Sequence, residues 1–419
     1  MTPRRVLEAI HERVGETPVC AFLIDLDEIA HRADRIRATL PPGVRMYYAM
    51  KANAEHPVLE TLARQIDGFE VASGGEIEKA RGVSRTLPLI FGGPGKTDVE
   101  LEAALDAGIE RLHVESAHEL QRVAALGARR GTRIPVLLRV NLTRIVADGT
   151  LHMSGVPTQF GIDEADVPSV TALARTLPAV DVEGFHFHSV SNQMDAAAHC
   201  ALVAEYLERA HAWARDLEID LRHVNAGGGI GVRYDGGRQF DWTAFTTGLA
   251  PIVKGLPPGF LNFECGRYLV AEHGWYATEV LDLKTNHGRA YAIVRGGTHH
   301  FRLPVSWRHS HPFSVTRVET WLRPYPRPAM RDVTLTVCGQ LCTPKDVLAF
   351  DAPVDEIAVG DVIVFEIAGA YGWAISHHDF LSHPHPEHVY LQGTGPISSN
   401  ASHRDEHATH NRPRAVVPR

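Results

Sequence analysis

A lysine closes one of the most apolar stretches of this chain. The run from Val44 to Met50 ends in Lys51, followed by Ala52 and Asn53. A lysine ending a buried strand neutralises, pairs with an acid, or forms a covalent bond. Burial lowers an amine's pKa and makes it a nucleophile toward a carbonyl. The plainer alternative is a strand-end lysine whose stem carries its charge to water. Three further segments hold residues with chemical uses. In Gly184-Phe185-His186-Phe187-His188-Ser189-Val190-Ser191-Asn192, the His188 ring suits stacking on a flat ligand. Gly227-Gly228-Gly229 suits the close approach of an anion to backbone N–H groups. Glu264-Cys265-Gly266-Arg267 sets an anion and a cation three residues apart. A lysine, an acid for a protonated ring nitrogen and a phosphate cradle are together what pyridoxal phosphate requires. Each segment also has a plainer reading: a satisfied core histidine, a tight turn, and a salt bridge between Glu264 and Arg267.

The elements that must position these residues alternate. Strand-like runs near 44–50, 68–72, 87–91, 111–114, 134–140, 183–189, 222–226 and 260–264 are separated by helical patterns at 57–64, 75–81, 98–107, 117–128, 166–177, 196–217 and 242–256. Eight strands alternating with helices predict an α/β fold, a (β/α)8 barrel, whose chemistry gathers at the C-terminal ends of the strands. Lys51, His188, the glycine run and Glu264 all fall at such ends. An open doubly wound sheet is the alternative, disfavoured because no Gly-x-Gly-x-x-Gly turn follows the first strand. An amphipathic helix over 4–14 and a strand over 19–26 come first, with Asp27 as the expected helix cap. Beyond about residue 270, short strands (278–283, 290–294, 332–337, 362–367) predict a β-sandwich or β-barrel. The expected division is a barrel over 27–270, a β-rich domain from 1–26 and 271–395, and a flexible polar tail over 396–419.

Composition narrows the function classes. The 419 residues are 44% hydrophobic and carry a net charge of -8, so no basic excess exists to neutralise nucleic-acid phosphates. No run has the length of a membrane span or signal peptide. Five cysteines without zinc-ribbon spacing fit a reduced, cytoplasmic setting.

The motifs Tyr48-Ala49-Met50-Lys51-Ala52-Asn53, Gly68-Phe69-Glu70-Val71-Ala72-Ser73, the His188 segment, Gly227-Gly228-Gly229, Glu264-Cys265-Gly266-Arg267, Cys342 with Asp346, and Gly369-Ala370-Tyr371-Gly372 resemble those of the fold type III pyridoxal-phosphate decarboxylases. That family comprises the diaminopimelate, ornithine and arginine decarboxylases, and the resemblance spans roughly 18–395. It implies a pyridoxal 5'-phosphate cofactor, with Lys51 as the lysine that bonds its aldehyde and His188 stacked on its ring. Ser191, Gly228, Gly229, Gly266, Arg267 and Tyr371 are implied around the phosphate, and Glu264 at the pyridine nitrogen. Cys342 is similar to the cysteine that the family contributes across a homodimer interface to reprotonate the product carbon. An acid at the ring nitrogen keeps the ring a strong electron sink, unlike the arginine of the alanine racemases that share the barrel.

Two departures bear on the substrate. Cysteine replaces the usual proline at position 265. Thr343 stands where diaminopimelate and ornithine enzymes place an acid for a distal ammonium. Arg302 and His309, in a segment rich in arginine and histidine, suit carboxylates and are assigned with Thr343 and Asp346 to substrate binding. The same segment resembles a siderophore-pathway branch acting on citryl-diaminopropionate. The alternatives are a diaminopimelate or basic amino-acid decarboxylase, and a non-catalytic regulatory relative. The run His377-His378-Asp379 to His383-Pro384-His385 with His388 is read as flexible surface histidines, with no metal assigned.

Overall fold

The computed structural model describes residues 2–144, 151–152, 154–321, 323–393 and 395–398. Eight parallel strands close on themselves: β1 Arg45–Ala49, β2 Gly68–Val71, β3 Leu89–Phe91, β4 Arg111–Val114, β5 Ile134–Asn141, β6 Val180–His186, β7 His223–Asn225 and β8 Leu261–Cys265. Strands covered on both faces need not alternate in polarity. That is why β2, β3, β4 and β8 are buried at every position. Tyr48, Phe69, Phe91, Phe185 and Phe263 are the bulk of this core. Helices begin directly after strands because a capping side chain waits there. Ser73 accepts from Glu76 N–H, Ser116 accepts from Glu119 N–H, and Thr97 with Glu100 makes a reciprocal capping box.

A second sheet of nine strands packs beside the barrel. Its strand Cys20–Asp25 lies between Gly274–Asn286, to which it is antiparallel, and Glu387–Gln392, to which it is parallel. Phe22, Tyr276, Phe301 and Phe365 form its core. Two hydrogen bonds tie the units at Lys51's own turn. Tyr371 N–H donates to Ala52 O at 2.8 Å, and Asn53 Nδ2 donates to Gly369 O at 3.0 Å. The fit admits no side chain at Gly369, where a Cβ would stand 2.0 Å from Val270 O.

Three local expectations change. The strand expected over 183–189 runs from Val180 to His186, so His188 sits in the loop beyond it. The cap of the helix Leu26–Thr39 is Asp25, not Asp27, because Asp25 Oδ1 accepts Glu28 N–H, while Asp27 meets Arg5 and Gly393 N–H. In the segment expected to be a flexible tail, Gly395–Ser398 forms a strand antiparallel to Glu387–Gln392. Residues 399–419 lie outside the described residues.

Burial holds several imidazoles neutral. It pushes His199 and His299 down to about 4, and His311 to about 3. All three are at most 1% exposed. Their folded values lie below the unfolded value of about 6.5, so the unfolded chain binds more protons as pH falls from 6.5 toward 4. Stability is therefore expected to drop across that window, by up to about 1.4 kcal/mol per ring and pH unit. Urea unfolding at pH 7, 6 and 5 measures it; a flat profile contradicts neutral buried rings.

Candidate active site

Lys51 sits in a single helical turn, Met50–Ala52, immediately after β1. Its ammonium lies 3.7 Å from Glu70 Oε2, near the C-terminal end of β2, and its side chain is 42% exposed. The expected fall in its pKa is reversed. The Glu70 charge raises the lysine above its ordinary value and outweighs desolvation, with Tyr371 and Glu264 adding to the effect. Burial pushes the Glu70 carboxyl upward and the Lys51 charge pulls it back. The resting amine is thus an ion-paired ammonium that must lose a proton before it can attack a carbonyl.

Glu264 lies on β8, which pairs with β1 in the register Glu264↔Tyr47 and Cys265↔Tyr48. That pairing sets the acid next to the lysine strand. A Cβ on Gly266 would lie 2.9 Å from Ala52 Cβ and 3.0 Å from Ala49 O, so the turn after β8 packs directly on the lysine's turn. The carboxylate is 4% exposed and accepts from Asn225 Nδ2 at 2.7 Å. His113 and His186, on β4 and β6, face its two oxygens at 3.5 and 3.4 Å.

Beyond β7, the three glycines are required by backbone crowding. Cβ atoms at Gly227, Gly228 and Gly229 would fall 2.4 Å from Phe187 O, 2.4 Å from Glu264 O and 2.7 Å from Val190 O. Their N–H groups are less free than the sequence suggests. Gly227 donates to Asn225 Oδ1 and Gly228 donates to His188 Nδ1 at 3.1 Å. Among the described residues, only Gly229 N–H of the three has no partner. Accepting at Nδ1 leaves the His188 proton on Nε2, and burial, with Lys51 second, holds the ring's pKa well below its usual value. Arg267 is 7% exposed and meets no carboxylate among the described residues. Its NH1 donates to Tyr234 Oη at 2.7 Å, and Trp307 and Tyr371 stack on its guanidinium at 4.1 and 4.6 Å. A buried cation with no acid beside it is costly unless an anion joins it. Glu264 is not that partner, so the salt bridge considered from the sequence does not form.

The remaining sequence-assigned residues divide. His309 lies at the Arg267 box, its ring 5.3 Å from Tyr234, and its Nε2–H donates to His311 Nδ1 at 2.8 Å. Burial and then Arg267 push His309 down to about 4. Ser191 follows His188 in a short strand, Val190–Ser191. Cys342 is exposed and Arg302 is exposed, both on the β-rich unit. Thr343 Oγ1 accepts Lys345 N–H at 3.3 Å. Asp346 is a correction. It is 2% exposed, and its oxygens take Thr298 N–H, Thr298 Oγ1–H and Leu341 N–H at 2.7, 2.8 and 2.8 Å. It braces the Cys342 loop, with both oxygens already hydrogen-bonded within the unit. The histidine run is packed in part: His377 and His385 are exposed, and His378, His383 and His388 are half-buried. His378 stacks on Trp373 at 3.5 Å, His385 meets Asp379 at 3.0 Å, and His383 lies 5.2 Å from His299.

Sequence reasoning gave no role to Glu70, Asn225, His113, Tyr234 or Trp307. The signal for the first three was an ionisable or amide residue inside an otherwise apolar barrel strand; Tyr234 and Trp307 left no such mark. The assembled donor set fits pyridoxal phosphate: an amine at Lys51, an acid at Glu264, and an unpartnered Gly229 N–H with the anion-seeking Arg267.

Residues 26–271 match the model of the pyridoxal binding domain of pyridoxal-dependent decarboxylases. The chain is 49% identical over 395 residues to the 2-[(L-alanin-3-ylcarbamoyl)methyl]-2-hydroxybutanedioate decarboxylase of Staphylococcus aureus, covering 93% of this chain and 99% of that one. It is 30% identical over 387 residues to the L-glutamyl-[BtrI acyl-carrier protein] decarboxylase of Niallia circulans, covering 88% of each. The crystal structure of diaminopimelate decarboxylase from Helicobacter pylori with L-lysine superposes with a TM-score of 0.80 at 26% identity, covering 93% of this chain and 95% of that one.

If Arg267 awaits an anion, Arg267→Met is expected to weaken binding of inorganic phosphate to the cofactor-free protein about tenfold, or about 1.4 kcal/mol. Isothermal titration reads this directly. An unchanged Kd would locate the anion elsewhere.

Proposed function

Because the chain belongs to the pyridoxal-dependent decarboxylase family, we propose that it removes carbon dioxide from a citrate-derived conjugate of 2,3-diaminopropionate, the substrate named for the Staphylococcus aureus relative. The observation that carries the site is the convergence of Lys51, Glu264 and Arg267 at the mouth of one barrel, from elements over two hundred residues apart.

Pyridoxal phosphate, when bound, supplies an aldehyde for the substrate amine and a protonated ring that takes up the electron pair left by carbon dioxide. Arg267, with Tyr371 stacked on its guanidinium, and the Gly229 N–H would hold the phosphate. His188, neutral and tethered by Gly228, would lie against the ring. Glu264 would be the partner of the protonated ring nitrogen. Lys51 would bond the cofactor's aldehyde once its amine has lost a proton, and Glu70 at 3.7 Å is the acid that would face that amine whenever it is free. Cys342, exposed and without a partner among the described residues, would supply the proton for the product carbon in the active site of a second subunit. A homodimer with shared sites follows from that role.

The substrate class is supported by charge. Thr343 beside Cys342 offers no counter-ion to a distal ammonium, while Arg302 and His309 offer donors to carboxylates. Diaminopimelate or a basic amino acid is the competing substrate. Retention of Lys51 and Cys342 disfavours a purely regulatory relative. No described helix is long and apolar enough to cross a membrane.

Carbon dioxide release is expected to be at least about a hundredfold faster (kcat/KM) with the citryl conjugate than with diaminopimelate, ornithine or lysine. Comparable rates on diaminopimelate would transfer the assignment to that substrate. Lys51→Ala is expected to abolish both turnover and the borohydride-trapped adduct with the cofactor. Cys342→Ala is expected to leave cofactor affinity intact while slowing product formation by roughly 10²-fold; wild-type kinetics would remove Cys342 from the proton path.

A further inference from the structure

Beneath the cofactor site the barrel interior holds polar side chains that the proposed reaction does not use. His113 is fully buried, and His186 is 2% exposed. Their rings stack with centroids 4.1 Å apart. Neither His186 nitrogen, nor His113 Nδ1, has a hydrogen-bond partner. Such groups are costly to bury unless they face something that needs them. What they face is Glu264: His113 Nδ1 is 3.5 Å from Oε1, and His186 Nε2 is 3.4 Å from Oε2.

The network fixes where the His113 proton sits. Gly227 N–H donates to Asn225 Oδ1 at 2.8 Å, so the amide cannot be flipped, and its NH2 group points inward. That NH2 has two hydrogens and two acceptors within reach, Glu264 Oε1 at 2.7 Å and His113 Nε2 at 3.3 Å. An imidazole accepting at Nε2 carries its proton on Nδ1, the nitrogen directed at the Glu264 carboxylate. Both rings lie well below their usual pKa, through burial first, and so stay neutral. A neutral Nδ1–H donor steadies the anion without neutralising it, and such contacts tighten when the site is loaded.

We propose that His113, set in its Nδ1–H tautomer by Asn225, is a positioning residue that holds the Glu264 carboxylate in place and aimed at the cofactor's ring nitrogen. The proposal rests on the reading of Glu264 as the partner of that nitrogen. His186 flanks the second oxygen in the same way. Lys51 and Glu70 are the other charges that act on this region from β1 and β2, with Lys96 and Arg139 acting on the rings.

The test compares binding of pyridoxal phosphate with that of its 1-deaza analogue, which lacks the ring nitrogen, to cofactor-free protein by fluorescence quenching. The parent is expected to prefer the natural cofactor by roughly tenfold, and His113→Leu to lose most of that preference with kcat falling roughly 10- to 100-fold at a nearly unchanged KM. His113→Asn, which restores a donor near Nδ1, is expected to recover both. A purely structural role would weaken both ligands equally and leave their ratio unchanged, which overturns the proposal, as would His113→Asn behaving like His113→Leu. Glu264→Ala separates the two levels. If it keeps the preference, the reading of Glu264 itself fails; if it loses the preference while His113→Leu keeps it, only the positioning role fails. Should His113→Leu not fold, His113→Phe carries the same comparison, since it keeps a flat ring against His186 and removes the donor.

Discussion

The parallel pairing of Arg45–Ala49 with Leu261–Cys265 is the constraint on which the site depends. It closes the barrel, and it sets the residues that follow both strands side by side at one mouth. Without that closure Lys51 and Glu264 would belong to opposite edges of an open sheet. The pairing has little tolerance. Gly266 must pack on Ala49 and Ala52, and Gly228 must lie against Glu264 O, so neither position admits a side chain. Close packing here converts backbone register into side-chain placement.

Much of the barrel was legible because most strands read as short apolar runs and several helices start at a capping residue. The chemically odd residues at the strand ends were legible for the same reason: a lysine, a glycine run and an acid each interrupt an apolar pattern. What stayed hidden was pairing across distance. Glu70 looked like one acid in a strand, so the Lys51 amine was expected to fall in pKa; in the fold the two share a charge and the shift runs upward. Asp346 was read by its nearness to Cys342. No local pattern discloses that the loop folds back and spends both oxygens on residues 298 and 341. His188 lies beside the glycine loop although its strand ended three residues early, because Gly228 N–H holds the ring from there.

Arg267 shows how the two units depend on each other. The barrel supplies the guanidinium and Tyr234, while Trp307, His309 and Tyr371 come from the β-rich unit. Aromatic faces and a neutral imidazole compensate part of the cost of burying the cation and leave its remaining N–H groups for an anion. The Tyr371–Ala52 contact joins that box to the lysine's turn. Phosphate grip and amine placement are therefore parts of one interface.

The strand Cys20–Asp25 has a bearing on how the polypeptide matures during translation. It lies between Gly274–Asn286 and Glu387–Gln392. Made early, it waits through the synthesis of the entire barrel before either neighbour leaves the ribosome. Until then Phe22 and Leu23 have no sheet to cover them, and the nascent β-rich unit offers open, apolar edges. The barrel can close first, and assembly of the second sheet falls to the last strands synthesised, which makes that interval the window for chaperone capture.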